Sequence, residues 1–533
     1  MKFSRIALPA LLVVTPLLAQ SPAPPTPHPT FVIADVHSSE KMRFAYPDGG
    51  TLHGDRYALR NATMLDLITR AYGLDGDNVQ GGPSWLERDR FDIFARAPAN
   101  TGPGAVKLML QSLLADRFHL VTHNDTKPMP AYILTVGSGN KMKPSDGSGS
   151  PGCHDLTPPD NSGEVTPILI ACNDMSAESI AAMLRDYAGG YLDKPVADQT
   201  GLKGTWDFEL KWTSKGQLAK AGADGISIFN AVDKQLGLKL ELKTAPRPVM
   251  VVDSVLRQPT PNPPDLAKLM PPLPPPVFEV AVIKPSKPDE KESARIDNTQ
   301  VNAKAITLKD TIGYAWNFNQ SDKDFIVNAP KWLDTDKFDI LAKVSSEDVG
   351  NTGNHNGLQV DDADLRHMVQ VLLEERFRMK VHMEDRPVDA YTLVAVSPKL
   401  RKADPKERTR CVEGPGPDGK DPRIANPILG RLFTCTNMTM AEFAEELQNQ
   451  APGYLYNPVL DKTGLEGSYD LTLSFSGRGQ AMPDANSKED TDPTGALSLF
   501  DAVSKQLGLK LAKEKRALPV LVIDSISETP TEN

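Results

Sequence analysis

An internal duplication of domain size is the feature that most limits what this chain can fold into. The stretch DQTGLKGTWDF at residues 198–208 returns as DKTGLEGSYDL at residues 461–471. Other matched segments follow in the same order, among them FVIADVHSSE at 31 with FEVAVIKPSK at 278, MLQSLLADRFHL at 109 with MVQVLLEERFRM at 368, and SIFNAVDKQLGLKL at 227 with SLFDAVSKQLGLKL at 498. The offset between partners grows along the chain, as expected when insertions fall in surface loops. A repeat this long is a whole domain rather than a solenoid unit, so the sequence predicts two homologous tandem domains.

The N-terminus carries an export signal. Lys2 and Arg5 precede an apolar run from Ile6 to Ala19, a pattern typical of a secretory signal peptide cleaved after Ala19. The run is shorter than the roughly 20 residues of a membrane-spanning helix, and no later segment reaches that length. We therefore expect a secreted or periplasmic protein with no stable membrane span after signal cleavage; the alternative is an uncleaved anchor.

Prolines separate the predicted parts of the chain. The linker QPTPNPPDLAKLMPPLPPP favours extended polyproline II, which makes a semi-rigid spacer. The predicted order is a signal peptide at 1–19, a Pro-rich spacer at 20–30, a first repeat domain at 31–257, a Pro-rich linker at 258–276, a second repeat domain at 277–527 and a tail at 528–533.

Helix signals and strand signals alternate within each copy. Thr63 and Thr307 are each followed three residues later by an aspartate, a spacing that predicts a capped helix start. Thr439 with Glu442 predicts a capping box in the same way. Apolar residues at helical spacing predict helices that end at Phe118 and Phe377, each followed by a strand.

The end of the second copy adds a helix and a β hairpin. Ser498 predicts the helix start and Gly508 its end, and we expect the following LKLAKEKRALPVLVIDS to form two strands separated by a polar turn. Gly464 and Gly467 predict a tight turn in which Asp461 accepts backbone hydrogen bonds rather than acting in catalysis. Together these patterns predict an α+β fold with mixed or antiparallel sheets and short helices.

The cysteines fall in corresponding places in the two copies. They are Cys153 and Cys172 in the first copy, and Cys411 and Cys435 in the second. In an exported chain such matched pairs predict one disulfide in each domain. The alternative is a metal site, but zinc needs four close-set Cys or His ligands and each copy offers only two separated cysteines. We expect disulfides and no metal.

Composition and missing motifs exclude several functions. The formal net charge is −10 and no basic stripe offsets it, so nucleic acid is not expected as a partner. The sequence lacks a His-Glu-x-x-His helix, a Gly-x-Ser-x-Gly elbow, a P-loop and a dinucleotide fingerprint, and we expect no cofactor. His123 and His382 correspond between the copies. We expect both histidines to be isolated strand residues that face solvent and have no nearby base partner. His119 is expected on the same strand as His123, too far from it to share an ion.

The best-matched block is Pro-x-Trp-Leu-x-x-Asp-x-Phe-Asp-Ile. The candidate ligand-binding residues in it are Trp85, Asp89 and Asp92 in the first copy, and Trp332, Asp336 and Asp339 in the second. A Trp ring beside two carboxylates could form a sugar or peptide subsite. The alternative is structural: Trp-Leu anchors a turn, and Phe-x-Ile begins a buried strand whose intervening Asp points outward.

The ordered set of motifs resembles the soil-associated bacterial protein family. The motifs are Phe-x-Val-Ala-x-Ile-Lys-Pro from 278, Thr-Leu-x-Asp, the Pro-x-Trp-Leu block, Leu-Leu-x-x-Arg-Phe, Asp-x-Thr-Gly-Leu-x-Gly-x-Tyr-Asp and Gln-Leu-Gly-Leu-Lys-Leu. The resemblance covers nearly all of each copy. It implies an exported domain of unknown function, with no catalytic residue to transfer.

Two functions remain open at this point. The first is a non-enzymatic tandem binding module that engages an envelope or extracellular protein or glycan, because two linked modules gain avidity without a tight individual site. The alternative is a secreted hydrolase that acts on cell-wall or extracellular glycan or peptide through Asp89 with Asp92, or Asp336 with Asp339. A purely structural spacer differs from the first hypothesis in having no saturable partner.

Overall fold

The computed structural model describes residues 28–42, 45–157, 165–271, 276–297, 299–318, 325–345, 360–416, 419–426, 428–478 and 495–531. The predicted signal peptide and most of the spacer at 20–30 lie outside these ranges. The chain divides into two compact units. The first contains the described parts of Met1–Leu74, Pro83–Leu120 and Val255–Asn533, and the second contains those of Asp75–Gly82 and Val121–Ser254.

Strands and short helices alternate along the chain. The strands are β1 (Ile33–Ser38), β2 (Asp48–His53), β3 (Arg56–Thr63), β4 (Val79–Gly81), β5 (Arg90–Arg96), β6 (Val121–Val136), β7 (Lys143–Pro144), β8 (Gly152–Asp155), β9 (Ile168–Ser176), β10 (Val196–Asp198), β11 (Thr205–Trp212), β12 (Leu238–Ser254), β13 (Phe278–Pro285), β14 (Ser293–Asp297), β15 (Gln300–Thr307), β16 (Ile326–Val327), β17 (Lys337–Val344), β18 (Lys380–Ala395), β19 (Arg401–Lys402), β20 (Arg410–Glu413), β21 (Arg431–Thr439), β22 (Val459–Asp461), β23 (Ser468–Phe475) and β24 (Leu509–Ser525). The helices are α1 (Met64–Tyr72), α2 (Pro103–Phe118), α3 (Ala177–Tyr187), α4 (Leu218–Ala221), α5 (Ile228–Ala231), α6 (Leu266–Leu269), α7 (Leu308–Ala315), α8 (Asp362–Phe377), α9 (Pro422–Ala425), α10 (Met440–Gln450) and α11 (Leu499–Leu507).

The sheets confirm the duplication. In the first unit, the sheets have the orders β1-β5-β3-β2, β13-β17-β15-β14, β16-β24-β18-β22 and β19-β23-β21-β20. In the second unit, the orders are β10-β6-β12-β4 and β7-β11-β9-β8. Each sheet of the first repeat thus has a counterpart in the second. The β6–β12 pair is antiparallel whereas β10–β6 and β12–β4 are parallel, so the predicted α+β fold with mixed and antiparallel sheets is confirmed.

The helix boundaries follow the capping signals. The Thr63 hydroxyl accepts from the Asp66 N–H, and Thr439 forms a complete capping box with Glu442. Gly508 ends α11 in the left-handed conformation, with a φ of 66°. The Asp461 carboxylate accepts from the Thr463 N–H at 2.8 Å, as predicted for a turn residue.

Two expectations about strands are wrong. The segment after Gly508 is one strand, β24, because its polar run pairs with β18 and Lys513 Nζ reaches the Asp389 carboxylate at 2.8 Å across the ladder. Cross-strand ion pairs let charged residues stay in a strand on its solvent side. His119 is not on the strand with His123: it ends α2 with a φ of 47°, and β6 begins at Val121.

One strand–bulge–helix motif occurs twice in each repeat. A bulge residue in the left-handed conformation comes two positions before the helix N-cap, and its N–H is accepted by an aspartate of the neighbouring strand. The bulge residues are Asn61, Asp174, Ala305 and Asn437, with φ of 53°, 53°, 51° and 49°. The accepting residues are Asp92, Asp207, Asp339 and Asp470, at 2.8, 2.8, 3.1 and 3.0 Å. The sequence comparison missed this second level of repetition.

The predicted disulfides are present. Cys153 bonds to Cys172 and joins β8 to β9, while Cys411 bonds to Cys435 and joins β20 to β21. In each case the two cysteines lie opposite each other in an antiparallel pair, and the inner cysteine belongs to the hydrophobic core of its unit. The disulfides therefore fix a strand pair that covers one side of a core.

Candidate functional site

The Pro-x-Trp-Leu block folds as a turn followed by a buried strand. In the first copy, Ser84–Glu87 form a 3-10 turn, Leu86 is buried and the half-buried Trp85 packs edge-on against Phe91 at 6.4 Å between ring centroids. The second copy has the same turn at Lys331–Asp334. Both Trp side chains pack at the edge of the protein's own core, which accounts for them without a ligand.

Asp92 and Asp339 hold the bulge of the neighbouring strand. Besides the bulge N–H, Asp92 accepts from the Ser39 hydroxyl and Asp339 from the Ser286 hydroxyl, each at 2.6 Å. The hydrogen bonds from Ser286 and from the Ala305 N–H hold the pKa of the Asp339 carboxyl below its usual range, against the opposing effect of desolvation. These contacts explain why both copies keep the residue.

Asp89 and Asp336 have different partners. Asp89 forms two hydrogen bonds with the Arg257 guanidinium at 2.5 and 3.2 Å, and Asp336 accepts from the Thr335 hydroxyl at 2.9 Å. No hydrogen bond or ion pair among the described residues joins Asp89 to Asp92, or Asp336 to Asp339. The observed hydrogen bonds of these four carboxylates are to other groups of the same chain.

In the first copy, the turn also contacts the second repeat within the first unit. The Ser84 carbonyl accepts from the Thr409 N–H at 2.9 Å. The Glu87 carboxylate lies 3.2 Å from the Arg408 guanidinium, and Arg88 donates to Glu446 at 3.3 Å. The first-copy turn is therefore part of an internal interface, and the surface it uses there is not available to a ligand.

A second internal contact joins β3 to the start of α8. Arg60 donates to Asp361 at 3.2 Å and to Asp364 at 2.9 Å, while His53 Nε2 lies 3.6 Å from Asp361. Burial raises the pKa of the Asp364 carboxyl, and Arg60 opposes this effect. The backbone N–H groups that begin α8 are accepted by Asp48. This cluster ties the two repeats together within the first unit and needs no substrate to explain it.

The corresponding histidines are not isolated. His123 Nδ1 lies 2.9 Å from both carboxylate oxygens of Asp253, and His382 Nδ1 lies 3.0 Å from Asp524. The expectation that these residues lack a nearby base partner was wrong, because the partner comes from the paired strand. Both histidines are exposed, as predicted. In the part of the chain that the structure describes, no three His, Cys, Asp or Glu side chains come together as metal ligands.

A groove lies between β13 and α8 in the first unit. We call it the second groove; its volume is about 430 Å³. β13 is an edge strand, and its Val280 and Val282 line the groove with 57% and 36% of their surfaces exposed. Val277, just before the strand, also lines the groove and is 49% exposed. Val371 and Leu372 of α8 form the facing wall. An exposed edge strand that carries valines is a typical surface for binding an extended chain.

The corresponding groove in the first repeat, the first groove, lies beside β1 and α2 and holds the linker. The Arg117 guanidinium donates to the Thr260 carbonyl and to Asn262 Oδ1, both at 2.6 Å. Asn262 also accepts from the Val36 N–H at 3.1 Å and donates to Asp35 at 2.5 Å. Downstream, α6 packs against β1. Part of the predicted spacer is thus bound to the first repeat.

The C-terminal tail repeats the first steps of this arrangement in the second repeat. Ser527 N–H donates to the Phe377 carbonyl and Thr531 N–H to the Arg376 carbonyl, at 2.8 and 2.7 Å. In the first repeat, Leu256 and Thr260 make the same bonds to Phe118 and Arg117, at 2.7 and 2.8 Å. Thr531 is the last residue that the structure describes.

The two grooves differ at matched positions. Asp35, which binds Asn262 in the first groove, corresponds to Val282 in the second. Ser112, whose hydroxyl donates to the Pro29 carbonyl at 3.1 Å, corresponds to Val371. The second groove is therefore apolar where the first makes polar contacts with its own chain.

The fold and the disulfides define a tandem-repeat α+β protein. The chain belongs to a family described as a protein of unknown function, DUF3738, whose model matches residues 65–255 and 309–526. No curated protein and no solved structure gives a significant match to the chain. Among the described residues, no helix is long and apolar enough to cross a membrane.

Sequence reasoning missed both grooves. A signal for them exists in Pro-Thr-Pro-Asn at 259–262, which is answered by Pro-Thr-Glu-Asn at 530–533. Because the first stretch was assigned to a linker and the second to a tail, their correspondence was not used. Extending the repeat comparison past residue 257 would have shown that each copy continues onto its own groove.

Proposed function

We propose that this protein is a non-enzymatic binding module of the cell envelope, and that a partner protein covers the exposed valines beside the second groove. The observation that supports the proposal is the exposure of Val280 and Val282 on the edge strand β13. Exposed apolar side chains on an edge strand are a typical surface for a protein partner.

The chemistry of the second groove favours a protein partner over a glycan. Its exposed apolar side chains are valines, and covering each of them contributes on the order of 1 kcal/mol to binding. Two of the charged side chains of the lining already have partners in the chain: Glu279 lies 2.8 Å from Lys343 Nζ, and Arg376 donates to the Ala281 carbonyl at 2.5 Å.

The remaining features of the proposal come from the sequence. Export to the periplasm or the medium agrees with the two disulfides and with the absence of a spanning helix among the described residues. Division into repeat domains at 31–257 and 277–527, the cleaved signal peptide and the soil association stay predictions. We do not propose the hydrolase, because Asp89, Asp92, Asp336 and Asp339 each bind partners of their own chain.

The test is whether capture of a partner protein depends on the residues of the second groove. Mature chain, residues 20–533, is crosslinked in an extract of the cells that produce it, alongside the variants Val280→Asp and Ile424→Asp. Ile424 is an exposed apolar residue on α9, outside the groove, and serves as the matched control. We expect a protein that is captured by wild type and by Ile424→Asp but at least tenfold less by Val280→Asp. Equal capture by all three would contradict the proposal.

A further inference from the structure

The correspondence between the linker and the C-terminal tail extends past Thr531. The same offset relates Thr260 to Thr531 and Asn262 to Asn533. The Thr260 N–H donates to a carbonyl in the last turn of α2, and the Thr531 N–H donates to the matched carbonyl in the last turn of α8, at 2.8 and 2.7 Å. In both segments the asparagine follows its threonine by two residues, a reach of at most about 7 Å.

Two donors of the first groove hold the Asn262 side chain. Its Oδ1 accepts from the Arg117 guanidinium at 2.6 Å and from the Val36 N–H at 3.1 Å. The same guanidinium donates to the Ala34 carbonyl at 3.2 Å. Because β1 is paired only with β5, these backbone groups of Val36 and Ala34 lie on the open edge of the strand. Asn262 therefore closes an edge that would otherwise be able to pair with another strand.

The second groove has the matched donors. The Arg376 guanidinium donates to the Ala281 carbonyl at 2.5 Å, as its counterpart does in the first groove. Ile283 takes the position of Val36 on the edge strand β13. Ile283 is 3% exposed, and a backbone N–H that is buried needs an acceptor from the protein. The second groove thus requires at this edge the kind of acceptor that Asn262 supplies in the first.

We propose that residues 532–533 close the edge of β13 in the same chain, with Asn533 Oδ1 accepting from the Arg376 guanidinium and from the Ile283 N–H. The second groove is then a binding site for the chain's own tail, beside the exposed valines of β13. The inference concerns the chain alone and does not need the proposed partner. It restricts that partner to contacts with the valine side chains, because an occupied edge cannot accept a further strand.

One contact of the first groove has no counterpart in the second. The Asn262 amide donates to Asp35 at 2.5 Å, and Asp35 corresponds to Val282. The Asn533 amide therefore lacks this carboxylate acceptor. Since one hydrogen bond changes a local equilibrium by about fivefold, the tail should open about fivefold more readily than the linker.

Amide hydrogen exchange of the full mature chain, residues 20–533, tests the tail contact. Asn533→Ala should accelerate exchange at Ile283 by about fivefold and leave Val36 unchanged. Asn262→Ala is the matched control, and it should accelerate exchange at Val36 but not at Ile283. Exchange at Ile283 that does not respond to Asn533→Ala would assign the edge to another occupant and overturn the inference.

A gain of protection provides a second test. Val282→Asp restores the acceptor that Asp35 supplies in the first groove, so it should slow exchange at Ile283 by about fivefold. The gain should vanish when Val282→Asp is combined with Asn533→Ala, a comparison that also corrects for the effect of the new side chain on intrinsic exchange. Val282 is 36% exposed, so its substitution is not expected to disturb folding.

No gain from Val282→Asp, or a gain that persists without the Asn533 side chain, would contradict the tail contact. Both experiments use the chain without a partner, whereas the proposed function is tested by capture. Failure of the exchange prediction therefore leaves the proposed function standing, and failure of capture leaves the tail contact standing.

Discussion

The first groove and the second groove come from the same duplicated unit, yet their walls differ at matched positions. Beside β1, Arg117 and Asn262 fix the linker through a set of charged and polar hydrogen bonds. Beside β13, the tail makes the two matched backbone contacts up to Thr531, and the valines of the edge strand stay exposed. Duplication therefore preserved the fold and the groove, while substitutions on the groove walls changed what each groove can hold.

The comparison also separates structural residues from surface residues in the matched motifs. Asp92 and Asp339 hold a backbone bulge in both repeats and have counterparts in Asp207 and Asp470. Residues at the groove walls, such as Ser112 and Val371, differ between repeats. A residue that repeats four times with the same partner is thus explained by the fold, whereas a difference between matched surfaces indicates a difference in function.

The largest effect on linker binding is expected from removing the Arg117 side chain of the first groove. Arg117→Ala removes a partly buried guanidinium that binds Ala34, Thr260 and Asn262. The substitution should destabilise the linker contact by about 2–3 kcal/mol, the size of hydrogen bonds to a charged group. Hydrogen exchange of residues 256–262 should accelerate accordingly. Arg376→Ala is the matched control and should leave exchange in 256–262 unchanged. Unchanged exchange in Arg117→Ala would show that the linker is not held by the first groove.

The next effect concerns the repeated aspartate. Asp339→Ala leaves the buried N–H of Ala305 without its acceptor and should lower the free energy of unfolding by about 1–2 kcal/mol in thermal or urea denaturation. Asp336→Ala, three positions earlier, should change it by less than about 0.5 kcal/mol. Equal effects of the two substitutions would contradict the structural assignment of Asp339.

The effect of Asp339 should depend on pH. Its carboxyl pKa is lowered in the folded protein, chiefly by the Ser286 hydrogen bond, so its contribution is fully present above the usual aspartate pKa and is lost as the pH falls through the lowered value. The stability difference between wild type and Asp339→Ala should therefore shrink as the pH falls below about 4. A difference that grows on acidification would show that Asp339 is not stabilised as a carboxylate.

The smallest effect comes from making the first groove resemble the second. Asp35→Val removes one acceptor of the Asn262 amide and should weaken the linker contact by about 1 kcal/mol, which corresponds to a roughly fivefold faster exchange of residues 259–262. His37→Ala is a suitable control, because His37 contacts Asp35 but not the linker. If Asp35→Val slowed exchange, the polar contact would not be what retains the linker.

Local signals predicted the elements of the fold well. Thr63, Thr439 and Gly508 fix helix ends through side-chain and backbone conformations that depend only on nearby residues. The duplication and the cysteine pairing followed from matched spacing. The continuous strand β24 could not be predicted in this way, because Lys513 is paired with Asp389, a residue far away in the sequence.

The candidate site was harder to predict than the fold. The Pro-x-Trp-Leu block stood out because it repeats, but repetition here reflects the turn, the core and the bulge contact. Each groove forms where an edge strand packs beside a helix. The residue pattern of the strand or of the helix by itself does not predict this packing. What the sequence did contain was the repeated Pro-Thr-x-Asn that follows each repeat.

The most direct test of the difference between the grooves is site-specific photocrosslinking at matched positions. A photoreactive phenylalanine analogue is placed at Val371 in one sample and at Ser112 in another, and each full chain is irradiated in the producing cells. The structure predicts a crosslink to a second polypeptide from position 371, and a crosslink within the chain, or none, from position 112. Crosslinks to a second polypeptide from both positions, or from 112 alone, would contradict the assignment of the second groove as the binding site.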